Sequence, residues 1–271
     1  MSFTRFRALV RRFYRLHARR DLPWRKTRDP YRILVSEMML QQTQVARVLP
    51  FYKNFIKEFP TARKLASAPL ADVLKSWQGL GYNRRAKMLH AAAKELDMKG
   101  LGKLNFPNRT AELEKLPGVG PYTARAVAAF AYNQDVIVVE TNIRTAILNH
   151  FFPKRRKVSD KEIERVLAKL LPRGGAREWY SALMDYGAYL KRSGVSHNAR
   201  SRHYAKQPQF AGSSREARGA ILRVLAHEDA SRARLTNVLG ADRREQASRA
   251  LDALCAERLV QVRNRRYALA D

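Results

Sequence analysis

Cysteine is almost missing from this chain. Cys255 is the only one in 271 residues. No internal disulfide can form, and no cysteine-ligated zinc or iron–sulfur cluster can be assembled within the chain. No apolar run approaches the roughly 18 residues of a membrane span, so no membrane partner is expected. Residues 1–20 alternate basic and apolar without an apolar centre, which is not a signal peptide, and a cytoplasmic protein is expected. Period-two alternation is also scarce up to residue 205, apart from Val136–Val139, which can be a strand or an extended segment. The first two hundred residues therefore read as all-α. Acidic residues are few: Asp and Glu number 24 against 53 Lys and Arg, a formal charge of +29. Such an excess calls for a polyanionic partner, nucleic acid before an anionic membrane surface.

Against these absences one stretch stands out, Ser36-Glu37-Met38-Met39-Leu40-Gln41-Gln42-Thr43-Gln44-Val45. It reads as one helix with apolar residues nearly all round, and hence buried. A carboxylate at Glu37 among apolar neighbours is costly to ionise, so its pKa is expected to rise towards the range useful for proton transfer. A structural ion pair is the competing explanation.

Leu116-Pro117-Gly118-Val119-Gly120 joins two helical segments. Glycine permits backbone geometries closed to other residues, and bare amides at a helix start can face an anion. Gly118, Val119 and Gly120 are therefore candidate phosphate contacts that position a backbone without reading sequence. Further on, Glu140 ends an apolar run and begins a helix, where it can cap amides or face a substrate. Gly79-Leu80-Gly81-Tyr82 is a tight turn before a helix whose first turn carries Arg84, Arg85 and Lys87. Residues 206–214 form a polar linker. Helical patterns then cover 216–227, 232–239 and 244–258, followed by a basic hairpin in which Arg263, Arg265 and Arg266 stand near the tip. Three helices and a hairpin are like a winged helix, with Arg244 and Arg249 on its candidate groove helix.

Taken in order, the Glu37 motif, Gly79–Tyr82, the Leu116–Gly120 hairpin, Glu140-x-Asn142 and Trp179–Ala188 resemble the adenine DNA glycosylases of the MutY type, in the helix-hairpin-helix glycosylase superfamily. The likeness runs from about residue 5 to 192. It implies two helical subdomains with the base pocket between them, double-stranded DNA as partner, and a monomer. Domain bounds follow as 1–205 for the glycosylase, 206–214 for the linker and 215–271 for the winged-helix-like module.

The resemblance assigns roles. Glu37 matches the general acid, and Glu140 stands where the family has an aspartate supporting the oxocarbenium-like sugar, with Asn142 beside it. Tyr122 holds a position at which strand-cleaving relatives carry a Schiff-base lysine. Trp24, Arg25 and Leu40 match residues lining the adenine pocket, and Ser181 stands where Gln or Glu usually meets the adenine edge. Gln42 matches the side chain that enters the duplex when the base is flipped. Asn83 replaces a tyrosine that probes the opposite strand. A monovalent cation at the hairpin is the one cofactor implied. The family's four-cysteine cluster should follow Ala188, but Tyr189–His197 supplies no ligands; Arg192, His197, Arg200 and Arg202 are candidates for its phosphate contacts. The region after 215 is too short and too helical for the family's Nudix-like domain, so recognition of 8-oxoguanine is not implied. The expectation is a monofunctional DNA glycosylase acting on mispaired adenine. A glycosylase for an alkylated, crosslinked or deaminated base, and a non-catalytic DNA-binding protein, are the alternatives.

Overall fold

The computed structural model describes residues 1–102, 105–195, 201 and 209–271. His197, Arg200 and Arg202, and positions 206–208 of the expected linker, lie outside the described residues. The helices are α1 (Phe3–His17), α2 (Pro30–Leu40), α3 (Val45–Glu58), α4 (Ala62–Ala66), α5 (Leu70–Ser76), α6 (Arg84–Met98), α7 (Thr110–Leu113), α8 (Pro121–Tyr132), α9 (Thr141–Phe151), α10 (Asp160–Leu170), α11 (Ala176–Arg192), α12 (Ser214–Leu225), α13 (Arg232–Thr236) and α14 (Arg244–Ala256). A hairpin of β1 (Val260–Arg263) and β2 (Arg266–Leu269) follows. None of these helices is long and apolar enough to cross a membrane. The all-α expectation holds, with the small hairpin at the end. The chain gathers into two compact units. One comprises Met1–Leu34, Pro107–Lys115 and Val119–Lys206, the other Val35–Phe106, Leu116–Gly118 and Gln207–Asp271.

In the first unit, α1 starts on a Ser2 cap that accepts from the Arg5 amide at 3.3 Å. Its apolar stripe then buries Phe6 and Val10 completely. Phe6 lies 5.1 Å from Phe151 and 6.4 Å from Trp179, both edge-on, so aromatic packing joins α1 to α9 and α11. The Val136–Val139 run is extended with no strand beside it among the described residues. Two of its polar groups are satisfied by one side chain instead. The Val138 amide donates to the Tyr180 hydroxyl at 3.2 Å, and that hydroxyl donates to the Val136 carbonyl at 2.8 Å.

The second unit packs α4 and α5 on α6, with Phe55 of α3 edge-on to Trp77 at 5.7 Å. Here one expectation fails. Ser36–Val45 is not a single helix: α2 stops at Leu40, Gln42 turns left-handed at φ +54°, and α3 begins at Val45. The reason is a distant side chain, Arg85, which takes the carbonyls that a continuing helix would use. The C-terminal helices belong to this same unit, α14 packing on α12 and α13. The hairpin pairs Val260 with Leu269 and Arg263 with Arg266. Its turn residues Asn264 and Arg265 both have positive φ, +47° and +61°, as a two-residue I′ turn demands.

Candidate active site

Glu37 lies in α2, 6% exposed, between Ser36 at 1% and Met38 at 1%. The helix is fixed at both ends. At its start Asp29 Oδ1 accepts from the Tyr31 amide at 3.0 Å, with Pro30 at the first helical position. At its end the Arg85 guanidinium fans over the last carbonyls: Nη1 donates to Met38 and Met39 at 2.9 Å and to Gln41 at 2.6 Å. Nη2 donates to Gly81 at 3.0 Å, which ties the Gly79–Tyr82 turn to the same cation. A cation at a helix C-terminus also meets the negative end of the dipole. Burial lowers the pKa of Arg85 to about 10, which leaves it charged at neutral pH. Arg85→Met should leave several buried carbonyls unpaired and lower the unfolding free energy by about 3 kcal/mol or more. Arg85→Lys should recover little of it, since an ammonium lacks the planar fork. Denaturant unfolding of both variants measures this.

Beyond Leu40, which is half-buried, the chain turns and leaves Gln42 exposed. Gln42, Asn83, Arg84 and Gly118 line one cavity of about 400 Å³. Asn83 is 8% exposed there, directly before α6. Two further residues on the same cavity, Arg215 and Arg218 of α12, were not singled out in the sequence. The available signal was a pair of arginines one turn apart on a helix opening.

The hairpin glycines divide. Gly118 has φ +75°, and a Cβ there would run into the Met88 side chain, so glycine is required twice over. Gly120 was expected to need a special backbone and does not. Its φ is −88° as the residue before α8, open to any amino acid, and nothing lies within 4 Å of where a Cβ would be. Pro121 at the first helical position has no amide hydrogen to satisfy, and the Ala124 amide donates to the Gly120 carbonyl at 3.0 Å. Tyr122 is half-buried in the first turn of α8 and packs against the core of the first unit.

In that unit Glu140 is the cap of α9. Its Oε1 accepts from the amides of Asn142 at 2.8 Å and Ile143 at 3.3 Å, and its Oε2 from Asn142 Nδ2 at 3.4 Å. Burial pushes its pKa up against the pull of those hydrogen bonds and of Lys191. The α9 start is in turn set by Gly187 of α11, where a Cβ would collide with the Asn142 carbonyl.

Trp24 is 9% exposed in a short 3-10 turn, Pro23–Arg25. Arg25 grips Asp185 with two bonds, 2.6 and 2.9 Å, and reaches the Ser181 carbonyl at 3.3 Å. Burial opposes ionisation of Asp185, yet the bonds from Arg25 and the Arg19 amide win and hold its carboxyl below the usual range. Arg25 and buried Ser181 are thus brought together by a shared ion pair on α11.

The C-terminal arginines are less available than expected. Arg263 pairs with Asp271, Arg266 donates to the Asp229 carbonyl, and Arg249 pairs with Glu245 at 3.0 Å. Arg265 occupies the hairpin tip. The family's four-cysteine cluster does not fit this chain: Cys255 lies in α14, and Arg192 ends α11, where the ligand run would begin. Among the described residues no three His, Cys, Asp or Glu side chains converge as a metal site.

Residues 35–173, just over half of the chain, match the family model described as HhH-GPD superfamily base excision DNA repair protein. The chain belongs to that superfamily. Within the HhH-GPD match lie Glu37, the Leu116–Gly120 hairpin and Glu140, while α11 and everything after it lie outside. An adenine DNA glycosylase of Mycolicibacterium smegmatis is 38% identical over 94% of this chain and 92% of its own length. One from Mycobacterium tuberculosis is 39% identical over 89% of this chain and 86% of its own. A solved structure, that of a thermostable thymine-DNA glycosylase, is 27% identical, covers 69% of this chain and 86% of its own, and superposes with a TM-score of 0.59.

Proposed function

We propose that the chain is a monofunctional adenine DNA glycosylase, hydrolysing the N-glycosidic bond of an adenine flipped out of mispaired double-stranded DNA. The observation that carries this reading is Glu37: a carboxylate buried among apolar residues in a helix clamped at both ends. A carboxyl group positioned in this way is the one we assign as general acid to the departing base. Glu37 protonates the adenine, the glycosidic bond breaks, and the sugar passes through an oxocarbenium-like state. The Glu140 carboxylate, with Asn142, stabilises that positive charge. Water then adds to the anomeric carbon, and its proton returns to Glu37. Trp24, Arg25, Leu40 and Ser181 are the residues we assign to the base. Gln42 fills the place the base leaves in the duplex, and Asn83 and Arg84 meet the strands beside it. Gly118, Val119 and Gly120 hold a phosphate through backbone amides, with a monovalent cation where the carbonyls allow one. The α12–α14 helices and their hairpin act as a winged-helix-like module on the same DNA.

Tyr122 supplies no amine, so the product is an intact strand with an abasic site. With duplexes carrying adenine opposite guanine, adenine release should precede any nick, and strands should break only after alkali. Borohydride should trap no protein–DNA adduct. A trapped adduct would place the chain among the lyases. Release from a panel of alkylated or deaminated bases, but not from mispaired adenine, would move it to another substrate.

A further inference from the structure

Arg177 stands in the first turn of α11, where a cation meets the positive end of the helix dipole. That unfavourable place is explained by what its half-buried guanidinium reaches. Nη1 donates to the carbonyl of Phe130 at 2.8 Å, and Nη2 to those of Arg25 at 3.0 Å and Thr27 at 2.5 Å. Phe130 is among the last four residues of α8, whose carbonyls lack partners within the helix. The backbone of Arg177 is fixed to the same helix end. Its amide donates at 2.9 Å to Oδ1 of Asn133, the left-handed residue that closes α8, and Asn133 Nδ2 donates to the Gly174 carbonyl at 2.5 Å. The bonds run on from Thr27. Its hydroxyl accepts from the Asp29 amide at 3.0 Å, and Asp29 Oδ1 accepts from the Tyr31 amide at the start of α2.

Resting on the assignment of Trp24 to the base and of Glu37 to proton transfer, we propose that Arg177 is a positioning residue that holds the Trp24–Thr27 turn and the start of α2 in register with α8. The turn has few packed side chains of its own to fix it, since Lys26 and Arg28 are exposed. Its place is set instead through two backbone carbonyls, both bonded to one planar cation that is itself anchored to a helix end. The α8 start assigned to a phosphate and the turn assigned to the base thereby belong to one rigid piece. Without Arg177 the phosphate grip stays and the turn drifts. A lysine at 177 has a single nitrogen and cannot serve carbonyls that the arginine plane meets from two.

The test compares the full chain with Arg177→Met and Arg177→Lys in single-turnover release from an adenine–guanine duplex, with enzyme in excess. The amplitude reads the folded fraction, and the rate constant reads the placement of the reacting groups. The rate constant should fall roughly tenfold to 100-fold in both variants, as a displacement of about 1 Å can cause from a distance. Affinity for an abasic-site duplex, which carries no base, should stay within about twofold. Arg177→Lys keeps a cation at the α8 end and decides the matter if Arg177→Met loses its amplitude altogether. A reduced amplitude at the parent rate constant would make Arg177 a stability residue only and overturn the proposal. So would a parent rate in the lysine variant, or a loss of abasic-duplex affinity as large as the loss of rate. Amide hydrogen exchange reads the turn without chemistry: it should quicken over residues 25–31 in Arg177→Lys, with α10 as the unchanged reference, and equal exchange would also overturn the proposal. Should the parent chain release no adenine, the reading of its chemistry fails, but exchange still decides whether Arg177 holds the turn.

Discussion

Glu37→Gln is expected to abolish base release while leaving duplex affinity within about tenfold of the parent chain, since general acid catalysis is worth roughly 10²–10⁴-fold. The substitution keeps the volume and planarity of the side chain, so the packing around a 6%-exposed position should survive. It replaces an acid by an amide that cannot give up a proton at neutral pH. Single-turnover release from an adenine–guanine duplex, with binding measured separately, distinguishes this from loss of the fold. Undiminished release would remove Glu37 from the chemistry. Loss of binding in parallel with release would make it a structural residue of α2.

Gly187→Ala should be the most damaging single-methyl change in the first compact unit. The added Cβ would overlap the carbonyl oxygen, carbonyl carbon and Cα of Asn142, all backbone atoms that cannot rotate away. Helix α11 would have to retreat from the start of α9, where Glu140 caps and Asn142 follows. Overpacking costs about 1–3 kcal/mol and occasionally more, and here it also moves the carboxylate assigned to the sugar. The expected outcome is a lower melting temperature together with a loss of turnover larger than the stability change explains. Gly219→Ala in α12 is the matched control. Nothing lies within 4 Å of its added methyl, and replacing a helical glycine should be neutral or stabilising by about 0.5–1 kcal/mol. Equal behaviour of the two variants would show that the α9–α11 approach has room to spare.

Much of the site was legible because its chemistry is local in sequence. Glu37, the Leu116–Gly120 hairpin and Glu140-x-Asn142 are short patterns: Glu37 lies within α2, the hairpin leads into α8, and Glu140 caps α9. Helix boundaries set by distant side chains were not legible. Nothing between Ser36 and Val45 says that α2 stops at Leu40; the stop depends on Arg85, more than forty residues away. The same holds for Val136–Val139, which stays extended because the Tyr180 hydroxyl serves two of its backbone groups. Glu140 could cap or face substrate from its position alone, and the structure shows the cap. The basic hairpin looked like a row of phosphate-reaching cations, but the Asp271 side-chain carboxylate and the Asp229 carbonyl engage Arg263 and Arg266. Conversely nothing in the sequence singles out Arg215 and Arg218, since only the docking of α12 brings them to a cavity.

The interleaving of the two compact units bears on how the chain is made. Helix α1 is synthesised well before α9 and α11, yet the residues that bury Phe6 lie on them, some 140 to 170 positions later. At about 5–20 residues per second, its apolar stripe waits roughly ten to thirty seconds for them. The segment from Val35 to Phe106 likewise waits for the C-terminal helices that belong to its unit. Neither body can close while the ribosome is still at work on the middle of the chain. The many arginines along α1 give that waiting helix a like-charged coat, which keeps nascent copies apart until their partners emerge.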